Sequence, residues 1–295
     1  MNRKVSDAIR TVATMRFGIH AGLWMKTWAD DPAPIFATVA EIGFDGVELS
    51  LLGIGPDRAA AIRAMAEDHG LAVTCSTGLG PDADPASPDP AVREHALEVL
   101  REAVEVTAAL GSRGLAGVVA APWGVFDPAN KPARAEQSAR TLMRLDGVLS
   151  DHGVTLGIEA LNRFEGDLTS TAAEACAIAR ATGSKHIGVL LDSFHMNIEE
   201  KDPPAALHAA GGTLVHYHVS DNDRGVPGSG RYDFAADAAA LADIGYDGWV
   251  TAEMFVMAGN PASADLNIWR DIEPDPTRAA IDTLAYLRKV FGNVG

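Results

Sequence analysis

Glycine recurs along the chain at intervals that constrain its architecture. Gly43, Gly70, Gly111, Gly153, Gly183, Gly212 and Gly245 each follow a helix-like stretch and precede a short apolar or β-branched run. The gaps are 27, 41, 42, 30, 29 and 33 residues, the span of one strand, one helix and two loops. Each glycine reads as the left-handed residue that ends a helix, a conformation that penalises any side chain with a β-carbon. The units also resemble one another. DHGLAVTCS from Asp68 parallels DHGVTLGIE from Asp151, and EIGFDGVELS from Glu41 parallels DIGYDGWVTAE from Asp243.

Eight strands are predicted, at 16–21, 46–50, 72–77, 115–121, 155–161, 187–192, 214–220 and 249–254. Most are too apolar for a sheet with one wet face, which points to a parallel sheet covered by helices. The helix predicted over 90–110 has an apolar stripe at Val92, Ala96, Val99, Ala103, Val106 and Leu110. Capping residues and an early proline at 87–90 start it, and Gly111 ends it. Eight strands alternating with eight helices predict a (β/α)8 TIM barrel. No GxGxxG follows the first strand, which argues against a dinucleotide-binding open sheet. No linker divides the chain, so one domain is expected over 15–295, preceded by an extension over 1–14.

Charge and cysteine content narrow the partners. The formal charge of −16 repels phosphate backbones and anionic membranes, so neither nucleic acid nor a membrane is an expected partner. No apolar run reaches the ~18–20 residues of a membrane span. The first fourteen residues carry Arg3, Lys4 and Arg10 without the continuous apolar stretch of a secretory signal. The two cysteines, Cys75 and Cys176, are too few for a disulfide framework and read as inert buried thiols. A cytoplasmic protein is expected.

In such a barrel, chemistry collects at the C-terminal ends of the strands. Glu159, Asp192, His218 and Glu253 lie there on four successive strands. Three carboxylates meeting one imidazole in apolar surroundings repel one another unless a cation sits among them. Oxygen-rich ligation suits Mn²⁺, Mg²⁺ or Co²⁺ better than a thiolate-type zinc or iron centre, and no organic cofactor is expected. Glu159 and Glu253 are three of eight strands apart, so they approach the axis from different sides. That suits inversion of a carbon beside a ketone, where a proton leaves one face and another returns on the opposite face.

Further candidates surround this quartet. His195 follows Asp192 by three residues, where its imidazole could donate to a substrate oxygen. Arg224 lies in RGVPGSG, a stretch that reads either as a flexible turn or, with Arg231, as a phosphate-binding loop. His20, Trp24, Trp123 and Phe255 follow or end strands at the same face and are candidates for holding the apolar parts of a substrate. His216 shares a strand face with His218 and is expected to support it rather than to join the ligands.

The segments IEALNRFEGDL from Ile158, LLDSFHMNIEE from Leu190 and HVSDNDRGVPGSGRYDF from His218 resemble the ketose 3-epimerases of the xylose-isomerase-like barrel superfamily. That group comprises D-tagatose, D-allulose and L-ribulose 3-epimerases. GFDGVELS, SPDPAVR and the IWR at 268–270 add support, and the likeness runs from about Met15 onward. The spacings of 33, 26 and 35 residues within the quartet look like the family's metal ligands. The resemblance implies Mn²⁺ as the cofactor, a free ketohexose or ketopentose as substrate, and inversion at C3 through a cis-enediolate. It implies that Glu159 and Glu253 are both ligands and acid/base pair, and that Glu165, His195 and Arg224 hold substrate oxygens near C1 to C3. It also implies a homodimer or homotetramer. One departure stands out: many members follow the seventh-strand histidine with Gly-Glu, where this chain has Ser220-Asp221.

Rival readings keep the barrel and change the chemistry. An aldose-ketose or hydroxypyruvate-type isomerase moves hydrogen between C1 and C2 and needs only one of the glutamates. An abasic-site endonuclease, which His216-x-His218-x-x-Asp221 faintly suggests, needs several metal ions and a basic surface. A barrel that only binds sugar is the non-enzymatic reading.

Overall fold

The computed structural model describes residues 15–127 and 129–292; the extension expected over 1–14 lies outside them. Eight parallel strands close into a barrel in sequence order. They are β1 (Arg16–His20), β2 (Gly46–Ser50), β3 (Ala72–Gly78), β4 (Gly114–Val118), β5 (Thr155–Glu159), β6 (Ile187–Asp192), β7 (Leu214–Val219) and β8 (Trp249–Ala252). β1 pairs with β8 to close the ring. Several strands stop sooner than the apolar runs suggested, because residues past Val118, Glu159 and Ala252 leave the ladder to build the loops at the mouth.

Eleven α-helices occur among the described residues, where eight were expected. They are α1 (Ala33–Ile42), α2 (Pro56–Asp68), α3 (Pro90–Ala109), α4 (Lys131–Leu142), α5 (Asp146–His152), α6 (Ala172–Ala181), α7 (Ser193–Glu199), α8 (Pro203–Ala210), α9 (Phe234–Asp243), α10 (Pro261–Asp265) and α11 (Pro276–Val290). Doubling occurs after β4, β6 and β8. α3 begins as expected, with Asp89 accepting from the Ala91 N–H at 2.8 Å just before Pro90. Its buried face is centred on Leu97, Leu100 and Val104, while Val92 and Val99 are only half-buried. The predicted stripe was displaced by about one position because the larger leucines take the contact.

Six of the seven repeat glycines have positive φ: Gly43 at 99°, Gly70 at 70°, Gly111 at 77°, Gly153 at 64°, and Gly183 and Gly245 at 68°. The seventh place belongs to Gly211 (φ 51°) rather than Gly212. α8 ends one residue earlier, and a 3₁₀ turn over Gly211–Thr213 leads into β7.

Alternation along the strands divides the interior in two. Ile19, Val47, Leu49, Leu156, Ile158, Val189, Leu191 and Val219 face outward into the layer packed against helices. Glu48, Glu159, Asp192 and His218 face the axis. The ladder sets Asp192 beside His218. Gly117, at φ 128°, lets β4 pass close to β3: a β-carbon there would lie 2.2 Å from the Thr77 carbonyl oxygen. At the other end Trp249 covers Gly46, where a β-carbon would lie 2.6 Å from the indole.

Candidate active site

The four strand-end residues converge. Glu159, Asp192, His218 and Glu253 each present one ligand atom, and these atoms all lie within 4.8 Å of one another. Asp192 divides its carboxylate. Oδ1 accepts from the Phe194 N–H at 2.8 Å and caps α7, while Oδ2 accepts from Arg224 at 2.9 Å. The same Arg224 nitrogen donates to Glu253 Oε2 at 2.9 Å. Its guanidinium lies 4.1 Å above the Phe194 ring, a position in which a desolvated cation gains from the ring's negative face.

The two glutamates sit in different fields. Burial holds the Glu159 carboxyl above its ordinary range, with His195 working against that. Burial acts on Glu253 in the same sense, but His218 and Arg224 outweigh it and hold Glu253 well below the ordinary range.

His195 accepts from the Asn162 backbone N–H through Nδ1 at 3.2 Å. Its Nε2 therefore carries the proton, 3.4 Å from Glu159 Oε1. Asn162 also donates to Glu165 Oε1 at 2.8 Å, and Trp123 donates to Glu165 Oε2 at 3.3 Å. Glu165, His195 and Arg224 thus form one buried network beside the quartet.

The loop after β7 is organised by Asp221. This fully buried carboxylate accepts from the N–H groups of Asn222, Gly228, Gly230 and Arg231 at 2.8–3.0 Å. A β-carbon at Gly230 would lie 2.1 Å from Asp221 Oδ1. The phosphate-binding reading of RGVPGSG is corrected here, because a side-chain carboxylate occupies the donors that a phosphate would need. Arg231 is exposed and stands outside the cavity. Arg224 adopts the left-handed conformation, φ 68°, and its N–H donates to the Asp221 carbonyl.

A cavity of about 400 Å³ opens above the quartet. His20, Trp123 and Phe255 line it, and Trp24 does not. The Trp24 indole instead donates to Thr277 at 3.1 Å and borders a separate cavity. Trp28 stands on the wall in its place, because the 3₁₀ turn after β1 and the loop beyond it carry the chain back over the mouth. The rings of His20, Trp28 and Phe255 meet edge-on, with centroids 5.8–6.4 Å apart.

Residues 36–290 match the family model for the xylose isomerase-like TIM barrel. The chain belongs to this family. Within it, the chain is 33% identical over 289 residues to D-psicose 3-epimerase of Agrobacterium fabrum, covering 94% of this chain and 100% of that one. It is 34% identical over 275 residues to L-ribulose 3-epimerase of Mesorhizobium japonicum, covering 92% and 93%. The crystal structure of D-psicose 3-epimerase in the presence of D-fructose superposes with a TM-score of 0.90 at 31% identity, covering 95% of this chain and 100% of that one.

Against this family background, Glu48 is the residue that sequence reasoning missed. It projects from β2 beneath the quartet and is fully buried. Its Oε1 lies 2.8 Å from His218 Nε2 and its Oε2 lies 2.7 Å from His216 Nε2. Oε2 also accepts from Thr74 Oγ1 at 2.9 Å. Burial alone would raise the Glu48 carboxyl, but His218 and His216 hold it well below its ordinary range. The signal was legible: a carboxylate flanked by Val47 and Leu49 in GVELS met the same criterion that singled out Glu159.

The donor set fits a divalent cation. His218 Nδ1 is buried without an aligned hydrogen bond, 3.6 Å from Glu253 Oε2. Three carboxylates share the space with it, and Arg224 alone among arginines and lysines of the described residues reaches them. Hard oxygen donors plus one imidazole suit Mn²⁺, Mg²⁺ or Co²⁺. No helix of the described residues is long and apolar enough to cross a membrane.

Proposed function

We propose that this chain is a metal-dependent ketose 3-epimerase acting on a free ketohexose or ketopentose. The observation that carries the reading is the convergence of Glu159, Asp192, His218 and Glu253 at the foot of a cavity with aromatic walls. Relatives at 33% and 34% identity over nearly the whole chain bear the names of 3-epimerases, which supports the reaction class. Asp221 filling the glycine-rich loop favours an unphosphorylated sugar.

The quartet would hold the cation, with Mn²⁺ first among the candidates. Bound there, a divalent ion supplies positive charge that stabilises the negative charge building on the sugar's oxygens. Glu159 and Glu253 would then exchange protons with C3 from the two faces of the sugar, one removing and the other returning. His195, which carries its proton on Nε2, donates to a substrate oxygen, and Arg224 and Glu165 orient the neighbouring hydroxyls. Trp28, Trp123 and Phe255 cover the apolar faces of the sugar and exclude water. The nuclease alternative was suggested by His216-x-His218-x-x-Asp221, and there Asp221 is committed to the loop.

The test is incubation with Mn²⁺ and D-fructose, D-tagatose or L-ribulose in deuterated water, followed by chromatography and NMR. C3 epimers labelled at C3 support the reading. Aldoses labelled at C2, or C1-labelled ketoses without C3 epimers, support the isomerase alternative. Three bound ions per chain in place of about one would revive the nuclease.

A further inference from the structure

We propose that Glu48 is a positioning residue for the metal site: it holds the His218 ring so that Nδ1 faces the cation and Nε2 carries the proton. This rests on the metal-site reading above. A neutral imidazole has one bare nitrogen and one N–H, so whichever partner accepts from the second nitrogen selects the donor offered by the first. His218 is fully buried, with Nδ1 toward Glu253 and Nε2 2.8 Å from Glu48 Oε1. Neither nitrogen, nor Glu48 Oε1, has an aligned hydrogen bond, and Glu48 and Glu253 are the carboxylates within 4.0 Å of the ring nitrogens among the described residues.

Glu48 is itself fixed from below. Thr74 donates to Oε2 at 2.9 Å, and His216 approaches the same oxygen at 2.7 Å while packing edge-on against His218, with centroids 4.9 Å apart. No arginine or lysine of the described residues pairs with Glu48. Thr74, His216 and His218 are its partners within 3 Å, and His20 and Glu253 each bring a ligand atom within 4.8 Å; so deep a carboxylate is unfavourable without such partners. Thr74 and His216 also border the cavity at the opposite end of the barrel. A chain of contacts therefore runs from the barrel floor through Glu48 to the quartet.

The test compares wild type with Glu48→Gln and Thr74→Val. Manganese affinity and stoichiometry are read by EPR of free Mn²⁺, and ring-nitrogen protonation by ¹⁵N NMR of the Mg²⁺-loaded protein. Glutamine keeps the shape but cannot accept from both imidazoles at once. The expected result is a single ion per chain in each protein, bound about 10- to 100-fold more weakly by E48Q. The wild-type His218 proton should reside on Nε2, with its resonance shifted in the variant.

T74V, which removes one hydrogen bond and little volume, should weaken binding by a smaller factor, and it decides the matter if E48Q does not fold. Wild-type affinity in both variants would overturn the proposal. So would two ions in wild type and one in E48Q, which would make Glu48 a ligand of a second site. Failure of wild type itself to bind Mn²⁺ would instead remove the metal-site reading.

Discussion

At the floor of the barrel a cavity of about 550 Å³ is bordered by Arg16, Arg63, Arg113, Thr74 and Trp249; at the mouth one of about 400 Å³ is bordered by Glu159, Glu253, His218, Arg224 and aromatic rings. The floor cavity is the larger, yet its charges do not converge. Arg63 is paired with Glu67 at the surface and Arg16 lies 4.3 Å from the Trp249 ring. At the mouth, three carboxylates and an imidazole meet within 4.8 Å. Volume therefore does not mark the site; convergence of donors does. The direction of the parallel strands explains the asymmetry, since every strand delivers its C-terminal residues and following loop to the same end.

Substitutions at the two ends should separate turnover from stability. Glu159→Gln and Glu253→Gln should each lower epimerisation by about 10²- to 10⁴-fold while leaving thermal unfolding near wild type. Persistence of turnover in both would end the two-base mechanism. Trp249→Ala at the floor should do the reverse, costing about 3–5 kcal/mol of stability by urea unfolding, with turnover of the folded fraction nearly intact. A large loss of turnover there would mean that the ends are coupled more tightly than their chemistry suggests.

The barrel wall supplies a third case, independent of both ends. Asp237 is buried beneath Tyr217 and Tyr232, which both donate to it. Burial pushes its carboxyl up to about 6 from 3.8, with the tyrosines working against that. Because the folded pKa is the higher one, its contribution to stability is fully present below about pH 4 and lost as pH rises through about 6. The loss amounts to about 3 kcal/mol. Asp237→Asn removes the titration, so its stability relative to wild type should improve by about that amount between pH 4 and pH 7. A pH-independent difference would place Asp237 outside this account.

The smallest effect is expected at Cys75, on the outer face of β3. Burial pushes its thiol up to about 12. Folded protein should leave it unalkylated by iodoacetamide at mildly alkaline pH, and mass spectrometry should find modification only after denaturation.

The outline of the fold was legible because βα units repeat. Glycine ended six helices where expected, and the strand ranges began within one residue of those observed. The quartet was legible for a related reason: a carboxylate inside an apolar run is conspicuous, and strand order places its neighbours. Glu48 is equally conspicuous, but it lies mid-strand, away from the strand ends where the chemistry of such barrels collects. Trp24 and Trp28 differ in no local feature that a sequence reveals. Which of them faces the cavity at the mouth depends on the path of the loop after β1, fixed by contacts such as the 2.9 Å bond from Trp28 to Asp265, 237 positions away.

What the sequence determined alone was therefore whatever periodicity and burial cost encode locally: strand count, parallel order, and acidic groups that could not stand unpartnered in an apolar strand. Tertiary structure decided the partners. Asp221 closes its loop instead of joining the quartet because backbone N–H groups from seven to ten residues onward fold back upon it. Glu48 reaches His218 because ring closure brings β2 and β7 to face each other across a narrow axis. Such distances follow from the closed sheet, and linear spacing carries no record of them.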